Sequence, residues 1–200
     1  MEKKYKLTEE TINVNGKTLY RIEALKDFSD VKKGDKGGYI EKEENLSQNG
    51  NCWVYDDAVV YGYARVYDNV KVYDYAKVYH NAVVYGNAEV FNNAQVFGNA
   101  KVYDNAKVSD NAKVFGNALV FGNALVCGNA KIYGYALVGE NAKVFDNAMV
   151  RGNADVYGNA RIYGNAEVSG NAQVFEDAVI YGNARVYGYA LVCDNTKLCD

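Results

Sequence analysis

From Val54 to Leu198 every sixth residue is aliphatic, 25 positions without an exception or an inserted residue. Four residues after each comes a small side chain, Ala at 22 of 24 places, with Val70 and Thr196 as the departures. The two residues before that small one are turn formers. The first is Gly or Asp at 20 of 24 places and the second is Asn at 18 of 24. Self-similarity this strict decides the architecture before any single residue does. A period of six does not keep apolar residues on one helical face. Read as strand, Ala-x-Val-Tyr alternates inward and outward, and Gly-Asn or Asp-Asn tolerates the positive φ of a bend. Each hexad is therefore a short strand plus a corner. Three hexads close a triangle, and the next 18 residues stack on it. Residues 54–197 predict eight coils, roughly 38 Å tall at the strand spacing. Each inward Val contributes about 1.5–3 kcal/mol when fully buried, and only the stack creates that burial. A flatter coil of 12 residues shares the period. The apolar free-choice residues favour 18, because Val83, Leu119, Leu137 and Leu191 then fall on one face.

The rhythm fades below Val54, where Gln48 and Lys42 take the slots six and twelve residues upstream. Residues 1–50 are rich in charge and form a first segment, with the repeats in 51–200. Thr11-Ile12-Asn13-Val14 and Thr18-Leu19-Tyr20-Arg21-Ile22 flank Asn15-Gly16-Lys17, a strong hairpin signal. An open first coil needs cover. The hairpin is expected to cap it, with Trp53 as a lid on the first triangle.

Composition narrows the functional classes. A net charge of −3 offers no footprint for nucleic acid. No apolar run is long enough for a membrane span, and the charged start MEKKYKLTEE lacks the apolar stretch of a secretory signal. The four cysteines read as reduced side chains of a cytoplasmic protein. Cys127 and Cys199 share a face but lie four coils apart, beyond disulfide reach. No CxxC occurs, so no metal is expected.

The unit aliphatic-x-x-x-small-x, as in Val120-Phe121-Gly122-Asn123-Ala124-Leu125, resembles the hexapeptide repeat of left-handed parallel β-helix proteins. The resemblance covers about three quarters of the chain and implies the left hand and the three-sided section. The entry stretch, Gly37-Gly38-Tyr39-Ile40 with Asn45-Leu46-Ser47-Gln48 and Cys52-Trp53-Val54-Tyr55-Asp56, is similar to that of YdcK-like hexapeptide proteins, which are described as acetyltransferases. Similar repeats are common in genes of phages and mobile elements, which is compatible with a host protein as partner. The fold expected is thus all-β, a left-handed parallel β-helix with an N-terminal hairpin cap.

Many proteins of that family are acyltransferases. The resemblance implies coenzyme A thioester in a groove between neighbouring prisms of a trimer, with a His as base. The repeat carries no insertion to arch over a groove, and the chain has one His, His80, in a corner slot. His80 is the catalytic candidate for that alternative. In the preferred reading the chain is not an enzyme, needs no cofactor, and is a rigid scaffold or binding protein that self-associates.

The slot after the aliphatic is Tyr or Phe at 18 of 25 places. Rings 18 residues apart are expected to stack outward, as in Tyr55, Tyr73 and Phe91, in Tyr61, Tyr79, Phe97 and Phe115, and in Tyr67, Tyr85, Tyr103 and Phe121. Each pair is worth about 0.5–1.5 kcal/mol. Ser109, Cys127, Gly139, Arg151 and Ser169 interrupt the rows, where a partner could approach. The expected contact surface is the face bearing Tyr67, Tyr85, Tyr103, Leu119, Phe121, Leu137, Tyr157, Phe175 and Leu191. A dimer or trimer is expected, with end-to-end contact through Val192, Cys193, Leu198 and Cys199 as one route.

Overall fold

The structure, a computed structural model, describes residues 2–200. The repeat winds as a parallel β-solenoid of about 9 turns with three sheets. Every rung pairs with the rung 18 residues on, as Lys101–Val102 does with Leu119–Val120. The 12-residue coil is thereby excluded. Val120 N–H and C=O groups lie in that ladder; Tyr103 N–H, for example, donates to Val120 O at 3.0 Å.

The core is as narrow as the sequence demands. From Val70 to Ile180 every aliphatic and every Ala of the rhythm has no exposed surface. The corners explain the turn formers. The slot after the aromatic takes positive φ throughout, from Asp56 at 52° to Gly188 at 71°. A Cβ on Gly86 would lie 2.8 Å from Asp104 N of the next coil. Glycine there relieves both the φ penalty and the crowding.

The three corners differ in chemistry. Along one, Asp68, Asp104 and Glu140 alternate with Gly86, Gly122 and Gly158. Each acid accepts the N–H of the residue one coil on, as Asp68 does from Gly86 at 3.0 Å and Glu140 from Gly158 at 2.8 Å. A second corner repeats the device with Asp56, Asp74, Asp110 and Asp146. The third is glycine except for His80. One slot on, Asn side chains form ladders of their own, such as Asn87 to Asn105 to Asn123 at 3.1 Å each. These acids are turn residues that satisfy backbone donors.

The N-terminal segment continues one face of the solenoid. Strands β1 (Tyr5–Val14) and β2 (Lys17–Ala24) form the hairpin around Asn15-Gly16, both at positive φ. Strand β3 (Lys36–Ile40) pairs antiparallel with β2 and parallel with the rung Val59–Val60. That face holds 11 strands, against 9 and 8 on the others.

Two expectations change here. The register shows Ile40 opposite Val60 and Leu46 opposite Val66, so these two residues, not Lys42 and Gln48, carry the inward rhythm upstream. Leu46 precedes Val54 by eight residues instead of six. The two extra residues hid the first coil, and the stack is about nine turns instead of eight. Trp53 is not a lid over the end of the prism. It takes the outward slot that Lys71 holds one coil on, and it is buried under Tyr5 and Phe28, both edge-on at 6.1 and 5.3 Å.

The eight-residue step is tied down by polar contacts. Gln48 Oε1 accepts from Lys4 N at 2.8 Å. The buried Lys4 ammonium donates to Cys52 O at 2.8 Å and to Gly50 O at 3.3 Å. Burial lowers the Lys4 pKa and raises that of the Cys52 thiol beside it. Asn45, wholly buried, donates to Gly62 O and Ala64 O. It supplies by side chain the donors that a regular coil would supply by backbone.

Candidate functional site

The outward aromatic slot makes the most distinctive surface. One row runs Tyr61, Tyr79, Phe97, Phe115, Tyr133 with centroids 4.8–5.1 Å apart and planes within 7°. A second runs Tyr67, Tyr85, Tyr103, Phe121 at 4.8–5.3 Å and resumes at Tyr157 and Phe175. The third holds Tyr73 with Phe91, then Phe145, Tyr163 and Tyr181. The strand spacing dictates these distances, since one ring per coil repeats at the ladder separation. Burial raises the pKa of Tyr67, Tyr85, Tyr103 and Tyr157, which keeps their hydroxyls neutral.

The expected contact face is assembled in part. Leu119 lies opposite Leu137 in adjacent rungs, and Phe121 follows Val120 on the same side of the prism. Leu191 is 62% exposed and pairs with Gln173. Arg65, Lys101 and Asp155 stand in the same row of outward slots and divide the apolar stripe. The interruptions lie in different surroundings. Ser109, Gly139 and Ser169 are buried. The Phe121 ring lies over Gly139, where a Cβ would meet it at 2.3 Å. Cys127 is half-buried, and Arg151 is exposed and paired with Glu167.

Toward the last rungs, Val192 is buried, Cys193 half-buried, and Leu198 and Cys199 exposed. Tyr187, Tyr189 and Leu191 are exposed beside them. Cys193, Glu176 and Asp194 come near one another, but Glu176 already accepts the Asp194 N–H. The cysteines are free. His80 sits at its corner with φ 59°, edge-on to Tyr79 and Phe97. It occupies a different slot of the hexad from the contact residues, and among the described residues no side-chain hydrogen bond orients its imidazole. No helix is long and apolar enough to cross a membrane.

Sequence reasoning missed one cluster at the start of the third face. Asp30, Tyr55, Asp56, Lys71, Tyr73 and Glu89 line a groove of about 370 Å³. Asp30 comes from the loop between β2 and β3. It accepts from Tyr55 Oη at 2.8 Å and Lys71 Nζ at 2.7 Å, and its pKa falls to about 2, mainly through Lys71. Burial and Asp30 push the Tyr55 hydroxyl pKa up. Nothing in the hexad pattern signals Asp30, because it lies outside the repeat.

A family model described as "YdcK Beta solenoid repeat" matches residues 160–176 and 178–194. A curated Escherichia coli (strain K12) protein, "Uncharacterized acetyltransferase YdcK", is 48% identical over 42 residues. That stretch is 21% of this chain and 13% of the relative's length. Over these stretches the chain is similar to YdcK-type β-solenoid proteins, and its coil of three parallel sheets is a solenoid of that general kind.

Proposed function

We propose that the protein is a non-enzymatic, rigid β-solenoid scaffold whose aromatic faces are its contact surfaces, and that it self-associates. The observation that supports this is the set of stacked rows. Eleven ring pairs lie at 4.8–5.3 Å and within 14° of parallel. Such rings lose little side-chain freedom when a partner covers them, which favours binding. The row Tyr67, Tyr85, Tyr103, Phe121 beside Leu119 and Leu137 is the preferred face, with Tyr157, Phe175 and Leu191 continuing it. A second route is contact between the last rungs, through Leu198, Cys199 and Cys193 around the buried Val192. Partners are another copy of the chain, as dimer or trimer, or a host protein, in the cytoplasm; a phage or mobile-element origin fits that role. Light scattering tests the proposal with two variants, Leu119→Asp with Leu137→Asp, and Leu198→Asp. A mass above the monomer that falls in one of them supports it. A monomeric wild-type chain overturns self-association.

The relative's name favours a second reading, a coenzyme A-dependent acyltransferase with His80 as general base. A base must reach its proton within about 3 Å, so a facing chain would have to complete the pocket around His80. Millimolar acetyl-coenzyme A should then raise the melting temperature by mass action, and His80→Ala should abolish acyl transfer. An unchanged melting temperature sinks this reading and leaves the scaffold.

A further inference from the structure

The N-terminal segment lies against two sides of the prism. Ile12 and Val14 pack on the cluster of Val59, Tyr61 and Tyr79, and Asp30 holds Lys71. The side of eight strands, from Arg65–Val66 to Leu191–Val192, carries no strand of that segment. Its outward free-choice residues form one row, each opposite the residue 18 on. Leu119 and Leu137 sit at the middle, with three rungs beyond them at each end. Lys101 flanks this pair on one side and Asp155 on the other. Lys101 is exposed, and its neighbours in the row, Val83 and Leu119, offer it no carboxylate. Among the described residues the Asp155 carboxylate accepts from the Gln173 amide alone, at 3.5 Å.

We infer that this face binds a second copy of itself, antiparallel, about a two-fold axis that crosses the face between the rungs of Leu119 and Leu137. The inference rests on the self-association proposed above and names its partner and register. Reversal about that axis sets Leu119 against Leu137 of the second copy, and Lys101 against its Asp155. The symmetry makes each contact twice. No pair in the row then opposes like charges. The acids of the adjoining corner fit the same register. Asp104 and Glu140 alternate with Gly122 and Gly158, so each faces a glycine of the other copy. A slip of one coil either way sets carboxylate against carboxylate, Asp104 meeting Glu140 or Glu176, which disfavours it. Only Asp68 and Asp194, at the two ends, meet with like charge. Along the glycine edge the exposed Tyr63 and Tyr189 face one another, and the exposed Tyr135 of each copy comes within one coil of the other. Eight rungs stand roughly 38 Å tall and a side is about 15 Å wide. That is about 1,100 Å² over the two copies, which reaches the range of specific interfaces.

Sedimentation velocity of the full chain over a concentration series tests this with charge reversals. The wild type should form a dimer. Lys101→Asp should weaken it at least about tenfold, since two like-charged pairs replace two ion pairs. Asp155→Lys should do the same. Both changes in one chain should restore the wild-type affinity, because the pairs re-form with reversed sign. Within one chain the two positions are three coils apart, about 14 Å, so pairing inside a copy does not produce the rescue. Lys143→Asp, exposed on another side, should leave the dimer unchanged. Four outcomes overturn this face and register and leave self-association standing through another surface: a trimer, an assembly indifferent to Lys101→Asp, weakening that the double change does not rescue, or equal weakening by Lys143→Asp. A monomer up to about 100 µM overturns both.

Discussion

The first coil and the coils after it do the same job by different means. From Val72 to Ile180 each rung adds a buried aliphatic and an Ala, most add a ring, and each contact is small and repeated. Before Val54 the chain uses single, unlike contacts. These are a buried lysine on carbonyls, a buried asparagine replacing backbone donors, and an indole under two rings. A repeat can share its load among neighbours. An end cannot, because it has a neighbour on one side only, so its buried polar groups must each find a named partner.

Val120→Asp attacks the repeating half at its centre. It places a carboxylate where no surface is exposed and should lower unfolding free energy by more than about 4 kcal/mol, read by chemical denaturation. Loss of the parallel-strand signal near Val120 alone, with both ends intact, would show that the coils unfold independently. Tyr79→Ala removes two stacked neighbours, Tyr61 and Phe97, and should cost about 2–4 kcal/mol. Tyr55→Ala, outside any stack, should cost less; equal losses would remove the energetic role of the rows.

Asn45→Ala tests the irregular half. It orphans Gly62 O and Ala64 O and should cost about 1–3 kcal/mol, with hydrogen exchange rising at β3 and the adjoining rungs. The corner glycines carry a similar cost in the repeat. Gly86→Ala meets Asp104 N at 2.8 Å with φ 73° and should cost about 1–3 kcal/mol, whereas Gly16→Ala meets nothing within 4 Å and should cost about 1 kcal/mol from φ alone.

The smallest effect is in acid. The folded-state pKa of Asp30 lies near 2, below its ordinary value of 3.8. The unfolded chain therefore binds the proton first. The Asp30 contribution is present above about pH 4 and is lost as pH falls through about 2. Solvent screening keeps it small, within about 1 kcal/mol. Asp30→Asn should flatten that part of the stability–pH curve, and an unchanged slope would remove the Lys71 pairing as its source.

The coil, its inward residues and its outward rows were legible from one chain because each hexad restates them. A single reading error would have been corrected by the next repeat. Ile40 and Leu46 were not, since two extra residues between Leu46 and Val54 shift the phase, and no second copy exposes the shift. Trp53 was misplaced for the same reason. At Gly139 the small residue in sequence says nothing of the Phe121 ring that leans over it. His80 was visible as the lone histidine, but its surroundings were not.

What the sequence determined by itself is the period. Branched aliphatics, methyl groups and turn formers at fixed spacing leave one way to bury the first and bend at the last, so the local pattern and the global coil agree. What only the tertiary structure decided is where the rhythm fails and what fills the failure. Asp30 meets Tyr55 across 25 residues, and Lys4 meets Cys52 across 48. Contacts between segments that share no pattern depend on how the chain closes in space, and no spacing along it encodes them.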